Sequence, residues 1–309
     1  RMLTGLPRQA SMTAPAAPSS HSAPTAVASA LVAMVSFQVG ASFAKSLIPA
    51  IGAPGTTAIR LGLSAAIVCA LQRPWRTVPS RQAWPVVAAF GLSLGAMNFV
   101  FYEALKTIPL GVAVALEFTG PLGVAVFASR QRLDYLWAAL AAAGLAVLLP
   151  IGPARGAALD PVGVAYALAA GVGWALYIVL GQKAGRAHGA SASTWGLVVA
   201  ALLTVPLGLA DAGARPVIAA LLPFGLGVAI FSSALPYTLE MVALRRLSAK
   251  TFGTLMSFEP AIAALAGAAL LHERLTGVQY AAIAAVVVAS AGAVSTEPAL
   301  DDTPPSQAA

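Results

Sequence analysis

Apolar stretches of about 20 residues recur along almost the whole chain, and each is long enough to cross the ~30 Å hydrocarbon layer of a membrane. The composition agrees, because 59% of the 309 residues are hydrophobic and only 9% are charged, against roughly 25% charged residues in an ordinary soluble domain. The pattern leaves no room for a soluble domain beyond short tails. The sequence therefore predicts an all-α integral membrane protein, whose function lies inside the helix bundle.

The apolar pattern predicts ten transmembrane helices. Residues 1–25 are rich in Ala, Pro and Ser and have too little apolar surface to order themselves, so we expect a disordered tail there and no cleaved signal peptide. A second disordered tail, polar and acidic, is expected at 296–309. The predicted spans are 26–44, 56–72, 84–104, 109–128, 135–152, 161–182, 192–210, 217–241, 250–270 and 276–295.

Two of these spans carry a glutamate and align with each other without a gap at an offset of 142 residues. The alignment of 109–121 with 251–260 places Glu117 over Glu259 and Gly111 over Gly253. It indicates two repeats, at 26–152 and 161–295. Each has five spans, so the second must cross the membrane in the opposite sense. Inverted repeats of this kind place a substrate site near the midplane, between the two halves.

The distribution of Lys and Arg predicts the orientation. Twelve of these residues fall on the side of the amino terminus, five fall on the other side, and Arg60 lies at the start of a span. We therefore expect both termini in the cytoplasm. The net charge of +7 is scattered over the loops instead of forming a stripe, so we expect no nucleic-acid partner. The sequence gives no indication of the oligomeric state.

Signatures of enzymes and metal sites are missing where they would be expected. The segment 40–46 superficially resembles a phosphate loop, but Ala44 stands where glycine should precede Lys45. The chain has one cysteine, Cys69, and no paired histidines or nucleophilic serine with a histidine partner. We therefore expect no cofactor and no metal, and a carrier instead of an enzyme.

Several phrases of the sequence are similar to those of one known family. They are SFQVGASFAKSL at 36–47, GAPG at 52–55 followed by Arg60, PLGVAVALEFTGPL at 109–122, ALPYTLEM at 234–241 and TFGTLMSFEP at 251–260. Together they resemble the threonine/homoserine exporters of the EamA-type branch of the drug/metabolite transporter superfamily, over about residues 27–296. The resemblance implies a ten-helix carrier with inverted repeats in the bacterial inner membrane, which expels small amino acids and is driven by the proton gradient. It supplies no residue-level site.

The two repeated glutamates are the first candidates for a substrate or proton site, because a carboxylate within a membrane span is costly and functional by default. Pro121 cannot donate to the carbonyl of Glu117, and Pro260 similarly frees the carbonyl of Met256, so each acid lies beside a locally opened helix. A low-dielectric site increases a carboxyl group's affinity for protons. One glutamate could therefore alternate between a proton and a substrate ammonium. The alternative is a hydrogen-bonded glutamate that only fastens two helices.

Three further polar residues are candidates for the same site. Glu240 is nearer a span end, where a charge costs less. Asn98, which the repeat offset places over Glu240, could hold a substrate carboxylate or bridge two helices. Arg60 could receive a carboxylate with its bidentate fork or cap the start of its span.

Other charged residues favour structural roles. Glu103 and Lys106 have a spacing at which helical side chains pair, and Lys45 is typical of an interfacial anchor. The triplet 272–274 is most simply a solvated turn. Seven aromatic residues could shape a pocket, although most are expected to pack or to lie at the membrane interface: Phe37, Phe99, Tyr102, Phe118, Trp174, Tyr177 and Tyr237.

The sequence thus predicts a secondary active exporter of small neutral amino acids such as threonine, with protons as the exchanged ion. A carrier of the same fold for another metabolite or for a cationic drug is the first alternative. A membrane-embedded enzyme, or a channel or receptor, are alternatives of a different class. A cationic drug would require an acid and an aromatic cage without an anion-binding partner.

Overall fold

The computed structural model describes residues 22–128, 132–148, 159–189, 191–211, 223–236, 239 and 255–296. All regular elements within these ranges are helical, which confirms the predicted all-α class. The two predicted tails fall largely outside the described residues, and so does the segment 240–254. The number of ten spans and the division into two repeats stay predictions.

The first helix, α1 (Ser22–Gln72), combines the first two predicted spans. It begins at Ser22, four residues before the predicted start, and Pro24 lies in its first turn, where proline is well tolerated. Gly52 divides it at a kink, with φ 70° and ψ 171°, a conformation that favours glycine. A side chain at Gly52 would also lie 3.1 Å from the carboxylate of Asp211. The predicted loop between spans is therefore reduced to this one kink.

Within the described ranges, nine more helices have defined bounds, and a short 3-10 turn, Pro74–Arg76, precedes the first of them. Four of them correspond to the predicted spans in the first half of the chain: α2 (Trp84–Ala104), α3 (Leu110–Glu117), α4 (Thr119–Ala128) and α5 (Arg132–Leu148). The others are α6 (Pro161–His188), α7 (Ser191–Ala210), α8 (Pro223–Ser232), α9 (Glu259–Leu270) and α10 (Gly277–Thr296). The end of α8 widens into a π-helical turn, Ile230–Ala234.

Four helices of the described chain are long and apolar enough to cross a membrane. They are the ranges Pro24–Gln72, Trp84–Ala104, Pro161–His188 and Ser191–Ala210. The other apolar helices of the described chain are shorter. The predicted span 109–128, for example, is divided into two short helices, because it is interrupted at Phe118 between α3 and α4. An interrupted helix at membrane depth requires a protein partner or a cavity for its open backbone.

Contacts between loop segments can be compared with the side of the membrane on which the predicted topology places each segment. At one end of the bundle, the indole of Trp195 donates a hydrogen bond of 3.0 Å to the backbone carbonyl of Thr77, which joins the loop after α1 to the start of α7. At the other end, Lys45 contacts Glu273, and Asp160 accepts a hydrogen bond from the hydroxyl of Thr107. Every one of these pairs joins segments that the sequence places on the same side of the membrane.

The helices α3 and α9 cross in close contact. A Cβ at Gly111 would lie 2.5 Å from the Cα of Ala264, so only glycine permits this approach. Leu110 meets Gly267 in the same crossing, which makes the two helices antiparallel. Glu117 lies six residues beyond Gly111, and Glu259 lies five residues before Ala264. At about 1.5 Å per residue, the crossing brings the two glutamates to nearly the same level.

Candidate functional site

A cavity of about 310 Å³ lies among the helices, at the small end of the roughly 300–1,000 Å³ found for ligand sites. Its wall is mostly apolar and aromatic, and both halves of the chain contribute to it. The lining residues are Phe37, Gln38, Ala41, Arg60, Leu61, Leu94, Met97, Asn98, Phe101, Tyr102, Val114, Glu117, Trp174, Tyr177, Leu197, Met256 and Glu259.

Glu117 reaches the cavity at the point where α3 ends. Pro121, four residues later, lacks the N–H that would continue the helical hydrogen-bond ladder to Glu117, and α3 stops at this residue. The side chain is 7% exposed. Among the residues that the structure describes, no group donates a hydrogen bond to its carboxylate.

Glu259 lies at the other helix interruption, in the first turn of α9. Pro260 follows it at a position where proline is favoured, because the first N–H groups of a helix have no partner within the helix. Glu259 is 5% exposed, and its Oε1 accepts a hydrogen bond of 3.1 Å from Nε2 of Gln38. The two glutamates thus differ in their surroundings, since Glu259 has an amide partner across the bundle.

Arg60, on α1, lines the same cavity as the two acids. Its Nε donates to Oγ of Ser232 at 3.1 Å, and its Nη1 donates to Oδ1 of Asn98. The guanidinium carbon lies 5.2 Å from the centroid of the Phe37 ring and 5.6 Å from that of Tyr102. Arg60 is 6% exposed and lies eight residues beyond the kink of α1, so it does not cap the start of a span.

Asn98 bridges two helices, which is one of the two roles that the sequence suggested for it. Its Oδ1 accepts from Arg60, while its Nδ2 donates to the backbone carbonyl of Leu94 at 2.9 Å within α2. It also lines the cavity, so it holds the guanidinium in position there. The structure therefore brings together four of the five candidates, Arg60, Asn98, Glu117 and Glu259. The fifth, Glu240, lies outside the described residues.

Gln38 and Ser232 contact the charged groups but were not candidates. Gln38 could have been noticed, since it is an amide within the otherwise apolar span 26–44. Ser232 carries no such signal, because its position depends on the π-helical turn Ile230–Ala234. That turn packs on α1, where the hydroxyl of Ser36 donates to the carbonyl of Phe231 at 2.8 Å.

Outside the lining of the cavity, Lys45 and Glu273 form an ion pair that we call the Lys45–Glu273 latch. Nζ of Lys45 lies 2.6 Å from Oε1 of Glu273 and donates to the carbonyl of Ile108 at 2.7 Å. Oε2 of Glu273 accepts from the backbone N–H of Leu110 at 2.8 Å. The predicted solvated turn is wrong for Glu273, because the position of α9 brings its carboxylate to this lysine. The Lys45–Glu273 latch thus connects α1, the start of α3 and the end of α9. These are the helices that carry Gln38, Glu117 and Glu259.

Three other charged residues, Glu103, Lys106 and Asp160, lie outside the lining of the cavity. The predicted pair of Glu103 and Lys106 is confirmed at 2.9 Å. Asp160 caps α6, where it accepts from the backbone N–H groups of Val162 and Gly163 at 3.3 and 3.0 Å. A hydrogen bond from the hydroxyl of Thr107, together with these backbone bonds, holds the pKa of Asp160 below its usual value.

Comparisons with known proteins agree with this architecture. The chain is 50% identical, over 266 residues, to the threonine/homoserine exporter RhtA of Salmonella typhimurium (strain LT2), and the match covers 86% of this chain and 90% of that protein. The exporter of the same name from Escherichia coli (strain K12) matches with the same identity and coverage. An uncharacterized protein of Pseudomonas aeruginosa is 32% identical over 243 residues, which cover 73% of this chain and 78% of that protein.

A solved crystal structure shares the fold, with a TM-score of 0.56 and 20% sequence identity, over 88% of this chain and 96% of the other. Residues 161–295 match the EamA-like transporter family. Half of the residues are shared with relatives that are aligned over almost their full length, so the resemblance in the sequence phrases is confirmed. The chain therefore belongs to the EamA-like transporter family, within the drug/metabolite transporter superfamily.

Proposed function

We propose that this transporter exports small neutral amino acids, with threonine and homoserine as model substrates, in exchange for protons. The observation that carries the proposal is a single cavity that is lined by one guanidinium and two carboxyl groups. A neutral amino acid is a zwitterion, and its carboxylate and ammonium complement these charges. The names of the half-identical relatives, threonine/homoserine exporters, agree with this substrate class.

The substrate carboxylate binds Arg60 in this proposal. A guanidinium has five N–H donors in a planar fork that fits a carboxylate. Ser232 and Asn98 each accept one of them, which leaves three among the described contacts. The two accepting groups also fix the plane of the guanidinium. Arg60 is therefore held in place before the substrate arrives, which reduces the entropy lost on binding.

The substrate ammonium binds Glu117. This carboxylate has no hydrogen-bond donor among the residues that the structure describes, whereas Glu259 already accepts from Gln38. An ammonium has three donors and satisfies a buried carboxylate well. We therefore assign the substrate ammonium to Glu117. Glu259 is the second acidic group of the cavity.

Proton exchange follows from competition for the same group. A protonated carboxyl group loses its charge, and with it most of its attraction for an ammonium. A proton that enters from the outside therefore expels the amino acid from the site, and loss of that proton to the cytoplasm restores the site for the next substrate. The two states need different access, which inverted repeats at 26–152 and 161–295 would provide.

A cationic drug fits the cavity less well than a zwitterion does. Two of the aromatic faces that could hold an organic cation, those of Phe37 and Tyr102, already face the guanidinium of Arg60 at 5.2 and 5.6 Å. The positive charge of Arg60 would also repel a second cation. A carrier for another small zwitterionic metabolite remains the rival hypothesis. We place the protein in the bacterial inner membrane with both termini in the cytoplasm.

The test is transport by the purified full chain in lipid vesicles with an imposed pH gradient. We expect the gradient to drive labelled threonine and homoserine, but not lysine or a lipophilic cation. Arg60→Lys should abolish the transport, because lysine keeps the charge but lacks the fork. Arg76→Lys, in the 3-10 turn outside the cavity, is the matched control and should transport normally. Equal transport of the lipophilic cation, or a fully active Arg60→Lys variant, would contradict the proposal.

A further inference from the structure

Two buried oxygen atoms on residues that line the cavity have no hydrogen-bond partner among the described residues. They are the hydroxyl of Tyr102, which is 0% exposed, and Oε1 of Gln38, which is 1% exposed. Buried polar atoms are nearly always hydrogen-bonded, because an unpaired one destabilises the folded state. Two such oxygens beside one cavity therefore require an explanation.

Each of these side chains contacts one charged end of the cavity. The ring of Tyr102 lies 5.6 Å from the guanidinium carbon of Arg60, one helical turn beyond Asn98 on the same face of α2. Gln38 donates to Glu259 through its amide Nε2, so the atom without a partner is the amide oxygen, Oε1. The amide therefore presents an acceptor, while the phenol hydroxyl can donate as well as accept.

We propose that Tyr102 and Gln38 recognise the side-chain hydroxyl of the transported amino acid. This inference rests on the proposed function and adds the feature that selects among zwitterions. A hydroxyl group has one donor and two acceptor positions. It can donate to Oε1 of Gln38 and accept from the hydroxyl of Tyr102, so that one group satisfies both unpaired oxygens.

An apolar side chain of the same shape leaves both oxygens unpaired. Valine and threonine differ only by a methyl group in place of a hydroxyl, and their charged ends are the same. A hydrophobic pocket separates such isosteres only modestly, whereas a site that bonds a substrate hydroxyl rejects the analogue that lacks it. The ratio of threonine to valine transport therefore reports on these two oxygens and not on Arg60 or Glu117.

The experiment compares labelled threonine and valine in vesicles that contain the full chain, and it measures kcat/KM for each. We expect the parental protein to prefer threonine by at least about tenfold. Tyr102→Phe should lower the threonine-to-valine ratio of kcat/KM at least about fivefold, because it removes one hydrogen bond to the substrate hydroxyl. Tyr166→Phe removes a hydroxyl from the exposed face of α6 and is the matched control, for which we expect the parental ratio.

Gln38→Met is the second variant. This variant also loses the hydrogen bond to Glu259, a loss that affects threonine and valine alike. The threonine-to-valine ratio therefore reports only on the lost acceptor, Oε1 of Gln38. A parental protein that transports threonine and valine equally would overturn the inference and leave the proposed function intact, and so would parental ratios in both variants. A parental protein that transports neither amino acid would instead contradict the proposed function.

Discussion

Replacing Glu117 by glutamine is the most informative single change in the cavity. Glutamine has nearly the same shape, but it cannot ionise. No group of the described chain donates to the Glu117 carboxylate, so the change breaks no hydrogen bond there. Glu117→Gln should therefore insert and fold like the parental protein, since a neutral amide is also easier to bury than a charge. Its effect should fall on transport.

The size of that effect follows from the charge that is lost. Two unit charges about 4 Å apart attract each other by about 4 kcal/mol at an effective dielectric constant of about 20. An amide still offers its oxygen to the substrate ammonium, and a hydrogen bond contributes about 1 kcal/mol. The difference, about 3 kcal/mol, corresponds to roughly a hundredfold loss of threonine transport at about 1.4 kcal/mol per factor of ten.

Glu259→Gln should have a smaller effect, because Gln38 can still donate to the amide oxygen at position 259. We expect at least about a tenfold loss, or about 1.4 kcal/mol. The assay is threonine flux in vesicles at several values of pH, with Glu103→Gln as the matched control. Glu103 belongs to the ion pair with Lys106 and does not line the cavity, so its variant should keep most of the flux.

Parental rates of threonine transport in both Glu117→Gln and Glu259→Gln, over the whole pH range, would contradict a role of these glutamates in transport. The two glutamates would then only fasten helices. The site would have to be sought around Asn98 and Glu240.

Three further predictions concern topology and stability. A reporter fused after Ala309 should be active only if it works in the cytoplasm, because twelve of the seventeen side-assigned basic residues share that side; activity of a periplasm-dependent reporter would contradict the topology. Glu273→Ala should lower the thermal midpoint more than the double change Lys45→Met with Glu273→Ala, since the single change leaves a largely buried charge unpaired; equal midpoints would argue against the latch. Asp160→Ala should lower the thermal midpoint at neutral pH. Because the folded-state pKa of Asp160 is lowered, the difference in midpoint between the variant and the parental protein should be complete above the ordinary pKa of about 3.9. It should vanish as the pH falls through the lowered value. A difference that persists in strong acid would show that the capping carboxylate is not its cause.

The sequence was sufficient to predict the membrane class and to single out four of the polar residues that line the cavity. Hydropathy predicts spans, and a charged residue within a span is rare enough to be noticed. Proline four residues after Glu117, and directly after Glu259, also predicted where the helices open. The interruption at Phe118 and the start of α9 lie at these positions.

The partners of these residues could not be predicted, because they depend on how distant helices pack. Gln38 and Glu259 are 221 residues apart in the chain, and Arg60 and Ser232 are 172 residues apart. No local pattern encodes such contacts. Glu273 is a similar case, since a charged residue in a short loop is usually solvated, and only the position of α9 brings it to Lys45.

Exchange of threonine and protons through one site requires that the two fluxes occur together, and both can be measured in one experiment. Vesicles that contain the protein and a trapped pH-sensitive dye are given labelled threonine on one side only, without an imposed pH gradient. The account predicts that threonine enters and that the lumen becomes more alkaline, as protons leave in exchange, and that Glu117→Gln abolishes both signals together. Threonine entry without any change in luminal pH would contradict proton exchange.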